Sequence, residues 1–381
     1  MPRTPSPAVP RTPPRTPLQT STAAAVPGRP AASTRHIAIV GAGIAGIACA
    51  RTLVQAGHRV TVFDKSRGVG GRMATRSTPF GGFDHGAQYF TVRDERLARA
   101  LATAPGVCKP WSANAVFVLD PHGRTVEAAL PAREAHWVAA PGMNALARHW
   151  AKPLAAAGAL EMETQVTRIE RDALNPQRWQ LRSTGRATPM GEEQHVYGGF
   201  DAVLLAVPHP QAQALLQASA VAPKLVKAVA KVRVAPCWTL MLAFPQANQP
   251  SLSHLGPQWN AARSTHHRIA WLARESSKPG REPIERWTIQ ASAEWSEEHL
   301  EDDPQRIQAK LLRAFAEVTG IRTEPAHAVA HRWRYAKTTA PLGRSHLWDA
   351  ASQIGLCGDW CLGHRVEDAF VSGLSLALDM V

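Results

Sequence analysis

Residues 36–65 read HIAIVGAGIAGIACARTLVQAGHRVTVFDK, and this stretch decides the fold. An apolar run, 37–40, leads into the three glycines of a GxGxxG turn and then into an apolar helical pattern that ends at Gly57. A second strand pattern, 59–63, ends at Asp64. The glycines let the backbone touch a pyrophosphate, the helix N-terminus favours the phosphates, and the acid can accept hydrogen bonds from ribose hydroxyls. The stretch therefore predicts a βαβ unit that binds a dinucleotide, without distinguishing NAD from FAD.

The segment that follows Asp64 contains a second set of glycines. Residues 65–76 read KSRGVGGRMATR, and residues 83–93 read FDHGAQYFTVR. The GGRM and GAQY motifs of these two segments resemble those of the renalase family, which belongs to the flavin amine-oxidase superfamily. The resemblance extends over residues 36–381 and is strongest at its two ends. It implies that the dinucleotide is FAD, because the glycine pair of this superfamily lets the chain pass close to the FAD pyrophosphate.

The same resemblance implies the fold class. The expected fold is α/β, with a doubly wound Rossmann-type FAD-binding domain of the glutathione-reductase/amine-oxidase type and an inserted α+β substrate domain. The FAD-binding domain is expected to comprise residues 35–100, about 140–212 and 340–381, and the substrate domain about 101–139 and 213–339. Within the substrate domain the sequence predicts strands near 237–244, 268–274 and 286–291 and a helix over 304–319.

The resemblance also implies which residues hold FAD. Arg72 would offset the pyrophosphate charge, and Asp359 would bind ribityl hydroxyls or pyrophosphate. The Gln88 amide can satisfy the polar edge of the isoalloxazine, and Tyr89 can supply a flat face. The helix that follows Arg365 can direct its N–H groups at the flavin, although acids are also simply favourable in a first helical turn. The full expected set is Gly41, Gly43, Ala45, Gly46, Asp64, Lys65, Gly71, Arg72, Met73, Gln88, Tyr89, Val166, Gly358, Asp359, Val366, Glu367, Asp368 and Ala369.

The sequence does not single out a catalytic residue. Twelve tryptophans are present, and several of them fall on the strands predicted for the substrate domain, where they can line a flat apolar pocket. The candidates for this pocket are Tyr89, Trp238, Trp333, Tyr335 and Lys337. No metal site is predicted, because the spacing of Cys357 and Cys361 matches neither a zinc half-site nor a redox pair.

Composition narrows the possible partners. Lys+Arg 43 against Asp+Glu 30 gives a formal charge of +13, which suits an anion such as a dinucleotide. Basic runs interleaved with aromatics are absent, and no apolar run approaches the roughly 18 residues of a spanning helix, so neither nucleic acid nor a membrane is an expected partner. Five cysteines without a regular framework favour a cytoplasmic location. Residues 1–34, rich in Pro, Arg and Thr and without an acid, are expected to form a disordered tail.

The resemblance implies a reaction as well. Renalase-like enzymes oxidise isomeric dihydronicotinamides, the 2- and 6-dihydro forms of NAD(P), by hydride transfer to flavin N5, with O2 as acceptor and H2O2 as product. A small-molecule substrate, a nicotinamide dinucleotide, is therefore expected. Two alternatives stay open: oxidation of a small amine or polyamine, in which Lys337 or Lys231 holds a water near N5, and an FAD-binding protein without turnover. The sequence leaves the oligomeric state open.

Overall fold

The computed structural model describes residues 34–111, 116–127, 134–188, 191–248 and 259–381. The predicted tail lies outside the described residues except for Thr34. The described strands, in chain order, are β1 His36–Val40, β2 Arg59–Phe63, β3 Arg76–Thr78, β4 Gly81–Phe83, β5 Cys108–Pro110, β6 Val116–Leu119, β7 Thr125–Glu127, β8 Trp137–Ala139, β9 Leu160–Glu161, β10 Gln165–Arg171, β11 Trp179–Thr188, β12 Gly191–Phe200, β13 Ala202–Leu205, β14 Arg233–Phe244, β15 Ala261–Ser264, β16 Ile269–Arg274, β17 Glu285–Ala291, β18 His327–Ala340, β19 Leu347–Asp349 and β20 Ile354–Leu356. The helices are α1 Ile44–Gln55, α2 Glu95–Ala102, α3 Ala145–Ala156, α4 His209–Ser219, α5 Pro223–Val229, α6 Ala293–Glu298, α7 Pro304–Thr319 and α8 Val366–Asp379.

The first sheet has the strand order β19-β20-β13-β1-β2-β9 and is parallel apart from β19. Successive residues of β1 point to opposite faces, as a pleated strand requires. Ile37 and Ile39 pack into the core that contains α1, α3 and α8, whereas Ala38 and Val40 pack into the core that contains α4 and α5. Helices therefore cover both faces of a mostly parallel sheet, which confirms the predicted doubly wound fold.

The second sheet has the order β18-β14-β17-β16-β15-β6-β7. Its apolar side chains on one face pack against Ile307, Leu311 and Phe315 of α7. On the other face, Trp271 and Ala273 of β16 belong to the same core as α1 and β1, so this face is turned toward the first sheet. A smaller sheet, β10-β11-β12, and the two-stranded pairs β3-β4 and β5-β8 complete the described strands.

The strands and the helix predicted for the substrate domain are present in and beside the second sheet, and the starts of the strands differ from the predicted ones. Helix α7 has the predicted bounds, while β14 begins four residues earlier than predicted, at Arg233. Strands β16 and β17 differ from their predicted starts by one residue each. The division into an FAD-binding and a substrate domain stays a prediction.

Helices α1 and α8 approach each other at a glycine. A Cβ atom built on Gly373 of α8 would lie 2.0 Å from the carbonyl oxygen of Ala45 in α1. Real Cβ atoms do not approach a carbonyl oxygen this closely, so any side chain at position 373 forces the helices apart. This contact holds the middle of α8 against the first turn of α1, next to the glycine turn.

Gly373→Ala should therefore lower the free energy of unfolding by about 1–3 kcal/mol, the usual cost of overpacking a dense core. Ser375→Ala, at a half-buried position of the same helix, is the matched control and should change it by no more than about 0.5 kcal/mol. Urea denaturation of the two variants measures the difference. Equal stabilities would show that α8 can move away from α1 without cost.

Candidate functional site

The two glycine turns meet in space. An isolated bridge joins Gly43 and Gly70, and the Gly70 N–H donates to the Ala42 carbonyl over 2.9 Å. A Cβ built on Gly71 would lie 3.2 Å from the Gly43 Cα, so the backbones touch with no side chain between them. The Asp64 carboxylate accepts from the Ala42 N–H at 2.7 Å and thereby fixes the first turn to the end of β2. The first two motifs thus form one backbone surface.

This surface fits a pyrophosphate. Helix α1 begins directly after Gly43 and no side chain caps its N-terminus. Its first N–H groups lack intrahelical partners, and a helix N-terminus favours negative charge. A Cβ built on Gly43 would meet no protein atom within 4 Å, so the space beside the turn is open. The other predicted residues of this part, Ala45, Gly46 and Met73, are buried and pack behind the surface.

The predicted arginine and the predicted acid near the C-terminus contact each other. The Arg72 guanidinium binds the Asp359 carboxylate through two hydrogen bonds of 2.5 and 3.0 Å. The Asp359 side chain is only 4% exposed and also accepts from the Thr338 hydroxyl at 3.1 Å. Arg72 keeps 29% of its side chain exposed. The structure therefore brings Arg72 of the second glycine turn and Asp359 near the C-terminus together. It pairs them with each other, which the sequence did not predict.

The segment that leads to Val166, one of the residues expected to hold FAD, runs beside the end of β2. The Thr164 N–H donates to the Asp64 carbonyl over 2.9 Å, and the Glu163 N–H donates to Ser66 over 3.0 Å. Val166 follows two residues later on β10, and Lys65 lies between the two acceptors along the chain. These contacts bring Val166, Asp64 and Lys65 to one side of the first glycine turn.

The acids at the start of α8 have structural partners. The Glu367 carboxylate is buried and accepts from the backbone N–H groups of Arg93 and Asp94, both over 2.6 Å. The Asp368 carboxylate accepts from the Arg365 N–H at 2.9 Å and caps its own helix. The carboxylates thus tie this helix end to the chain before α2, as the simpler interpretation of first-turn acids expects. The flavin contact of residues 366–369 stays a prediction.

Residues 84–89, called the 84–89 segment below, lie between the two sheets. Both polar atoms of the Gln88 amide have hydrogen-bond partners. Its Nε2 donates to the carbonyls of Asp84 and Gly86, the latter over 3.2 Å. Its Oε1 accepts from the Lys278 ammonium at 3.2 Å. Both amide protons therefore have acceptors within the protein, and the expectation that this amide satisfies the isoalloxazine edge stays a prediction.

The aromatic residues predicted for the pocket lie in separate clusters. The Tyr89 ring lies 4.1 Å from His136 and 5.7 Å from Trp271, measured between ring centroids. Trp333 stacks on His85 at 5.1 Å and donates its indole N–H to the His85 carbonyl over 2.8 Å. Trp271, on β16, was not among the predicted pocket residues.

Three further pocket candidates lie on the second sheet. Trp238 is buried in the core with α7, where its indole N–H donates to the His299 carbonyl over 2.9 Å. The placement of Trp238 in the pocket was therefore wrong, since its position on β14 points to the helix-covered face. Tyr335 and Lys337 lie on β18 beside the residues that contact Arg72 and Asp359, and Lys337 is exposed.

Sequence reasoning missed a buried charge cluster formed by Asp84, Glu275, Lys278 and Arg281. Their side chains have no exposed surface. The Asp84 carboxylate binds Lys278 at 3.2 Å and Arg281 at 2.6 Å. Glu275 Oε1 accepts from Lys278 at 3.0 Å, while Glu275 Oε2 has no hydrogen-bond partner in the described part of the chain. The only sequence signal is the charge spacing in ESSKPGR, 275–281, which also suits an exposed loop.

The two carboxyls of this cluster differ in pKa. Burial opposes ionisation of Asp84, but Lys278, Arg281 and the Met143 N–H outweigh it and lower the pKa to about 2. Burial raises the pKa of Glu275, because Lys278 and the Thr288 hydroxyl do not compensate for its desolvation. The pKa values of the two carboxyls are therefore shifted in opposite directions, that of Asp84 downward and that of Glu275 upward.

The imidazoles beside Trp333 are neutral at pH 7. Burial lowers the pKa of His85 to about 4, and the neighbouring His331 adds to the effect. Burial and the Arg76 charge lower the pKa of His331 to about 4 as well. The two rings lie 4.7 Å apart. The aromatic rings on this side of the 84–89 segment are therefore uncharged, and Arg76 is the cation near them.

A doubly wound sheet, an uncapped helix N-terminus and two facing glycine turns define a dinucleotide-binding protein. Residues 39–104 match the NAD(P)-binding Rossmann-like domain, and residues 117–381 match the family of flavin-containing amine oxidoreductases. Because the second match spans more than half of the chain, the protein belongs to the flavin-containing amine oxidoreductases, whose cofactor is FAD. The predicted superfamily and cofactor are confirmed at this level, and the renalase family is not.

Solved structures share the fold. The chain is similar to a putrescine oxidase variant redesigned in its cofactor binding, with a TM-score of 0.65 and 11% identity, over 91% of this chain and 98% of that one. A protein of Exiguobacterium sp. 255-15 gives a TM-score of 0.66 and 15% identity, over 91% and 99%.

Curated relatives match over short stretches. An L-amino-acid oxidase of Siganus canaliculatus is 47% identical over 43 residues, which are 11% of this chain and 8% of that protein. A 4,4'-diapophytoene desaturase of Staphylococcus haemolyticus is 45% identical over 58 residues, 15% of this chain and 12% of that protein. The chain thus aligns with about a tenth of the length of these relatives. Within the described ranges, none of the helices has the length and apolar character needed to cross a bilayer.

Asp84→Asn should destabilise the protein by about 3–5 kcal/mol, because it removes the carboxylate that binds two buried cations, Lys278 and Arg281. Glu275→Gln, the matched control, should cost less, since Glu275 binds one of these cations, Lys278, and burial already opposes its ionisation. Denaturant unfolding measures both. Equal losses would contradict the larger role of Asp84 in compensating the buried cations.

The lowered pKa of Asp84 also predicts how the stability of the protein depends on pH. The pKa of Asp84 is lower in the folded protein than its ordinary value of 3.8, so its stabilising contribution is present above about pH 4 and is lost as the pH falls toward 2. Unfolding of Asp84→Asn should lack this part of the acid dependence. An unchanged slope between pH 4 and pH 2 would contradict the prediction.

Arg72→Ala should purify with little FAD, because it removes a cation beside the glycine turns and leaves the buried Asp359 carboxylate unpaired. Arg99→Ala, on the exposed face of α2, removes an equal charge and should retain full FAD content. The ratio of flavin to protein absorbance measures both variants. A full complement of FAD in Arg72→Ala would exclude this arginine from the cofactor site.

Proposed function

We propose that this protein is a renalase-like FAD-dependent oxidase that acts on isomeric dihydronicotinamides, the 2- and 6-dihydro forms of NAD(P). Its products would be NAD(P)⁺ and hydrogen peroxide. The proposal includes the FAD site built from the glycine turns, Asp64, the Arg72–Asp359 pair, Val166 and the start of α8. It also includes the division into an FAD-binding and a substrate domain.

The substrate class is inferred from the partners of three carboxyls, those of Asp84, Asp359 and Glu275. Asp84 is neutralised by two buried cations, and Asp359 is neutralised by Arg72. Glu275 is buried and accepts from Lys278 at 3.0 Å. Each of these three carboxyls thus already has a cationic partner and is not free for a cationic amine, whereas Lys337 is exposed. With a formal charge of +13, the protein suits a substrate that carries a pyrophosphate.

The reaction requires the protein mainly to position the substrate ring. When bound, FAD accepts the hydride, and O2 then takes up the two electrons and two protons as hydrogen peroxide. The substrate ring becomes an aromatic pyridinium, so no side chain has to remove a proton from carbon. Tyr89 and Trp271 offer flat apolar faces that can orient such a ring and exclude water. The neutral imidazoles of His85 and His331 add no charge that would oppose the pyridinium.

A second candidate is oxidation of a small amine. It is supported by the match to the flavin-containing amine oxidoreductases and by the likeness in fold to putrescine oxidase. Exposed Lys337, next to the residues that bind Arg72 and Asp359, would be the lysine of such a site, whereas Lys231 precedes β14 at the surface.

The test mixes the FAD-loaded protein, without air, with NADH that has been partly converted to its 2- and 6-dihydro isomers. We expect rapid loss of flavin absorbance at about 450 nm, restored by air with release of peroxide. Ordinary NADH is the control and should react far more slowly. Bleaching by putrescine alone would establish the amine alternative, and no bleaching by either substrate would indicate a flavoprotein without this turnover.

A further inference from the structure

The Lys278 ammonium is buried and connects three acceptors. It donates to Glu275 Oε1 at 3.0 Å, to Asp84 Oδ2 at 3.2 Å and to Gln88 Oε1 at 3.2 Å. An ammonium has three N–H donors, so these contacts use all of them. Lys278 therefore has no proton left for a substrate, and its role must be exerted through the groups that it holds.

The 84–89 segment to which Lys278 binds is held from both sheets. From the second sheet, Trp333 donates to the His85 carbonyl over 2.8 Å, and Gln290 donates to the Gly86 carbonyl over 2.7 Å. From the first-sheet side, the Arg72 carbonyl accepts from the Ala87 N–H at 2.8 Å. Each of these bonds fixes a backbone group. Asp84 and Gln88 are the positions at which the segment is held by its side chains, and Lys278 is the cation that binds both.

We propose that Lys278 is a positioning residue of the flavin site, which fixes the backbone from Gly86 to Tyr89 by holding the Gln88 amide against the buried charge cluster. The proposal deepens the proposed function and rests on it for the assignment of Tyr89 to the substrate face. A lysine is required here because one group must satisfy two carboxyls and an amide oxygen at once. Methionine has a similar length but would leave all three acceptors without this donor.

The consequence concerns the orientation of Gln88 and its neighbour. Without Lys278, the Gln88 Oε1 is a buried acceptor without a donor, which favours rotation of the amide. Rotation breaks the bonds from Nε2 to the Asp84 and Gly86 carbonyls and frees the backbone that carries Tyr89. The ring of Tyr89 then loses its fixed place beside His136 and Trp271.

The experiment compares full-length, FAD-loaded Lys278→Met, Gln88→Ala and the double variant by the visible circular dichroism of the bound flavin. We expect both single variants to change the flavin bands in the same direction and to raise the dissociation constant of FAD about tenfold, the effect of one unsatisfied buried group. The double variant should change neither further, because both substitutions break the same link. Lys224→Met, at an exposed lysine of α5, is the control and should match the wild-type spectrum.

A purely structural role for Lys278 predicts a different result. It would lower the melting temperature of Lys278→Met and leave the flavin spectrum of the folded fraction unchanged, which would overturn the proposal, as would additive effects in the double variant. If Lys278→Met does not fold, Gln88→Ala decides, since it removes the link and keeps the lysine with both carboxyls. A wild-type flavin spectrum in Gln88→Ala would then overturn the proposal.

These readouts require bound FAD and no turnover. A wild-type protein that binds FAD but is not reduced by the dihydronicotinamide isomers would contradict the proposed function. The spectral comparison of the variants would still stand, so the two failures are distinguishable.

Discussion

The buried Asp84 carboxylate is the interaction on which the site depends. It accepts from Thr75 and the Met143 N–H on one oxygen, and from Lys278 and Arg281 on the other. These donors come from distant parts of the chain, and two of them are charges that cannot remain unpaired in the interior. The carboxylate therefore fixes the 84–89 segment where the two sheets face each other.

Charge compensation inside the protein shapes what the site can bind. Asp84, Glu275 and Asp359 are each paired with a cation, and the His85 and His331 imidazoles are uncharged at pH 7. The groups that stay available are aromatic faces, backbone N–H groups at the start of α1 and the exposed part of Arg72. Such a set favours flat rings and phosphates over free ammonium groups.

The sequence located the parts of the site that are built from neighbouring residues. The βαβ unit follows from local glycine and apolar patterns, and α7 lies where the sequence predicts a helix, over 304–319. It did not locate Lys278, because the partners of this lysine lie up to 194 residues away in sequence. Trp238 was misplaced for a related reason: the strand was predicted correctly, but strand periodicity alone does not tell which face is covered by a helix.

The sequence by itself thus determined the dinucleotide turns, because their glycines are close together in the chain. It also determined the fold class and the flavin superfamily, because short motifs carry the resemblance from which both were inferred. Only the tertiary structure decided that Arg72 pairs with Asp359, that the Gln88 amide binds Lys278 and that the pKa values of Glu275 and Asp84 shift in opposite directions. These properties depend on desolvation and on the distance between groups, which are set when the two sheets pack together.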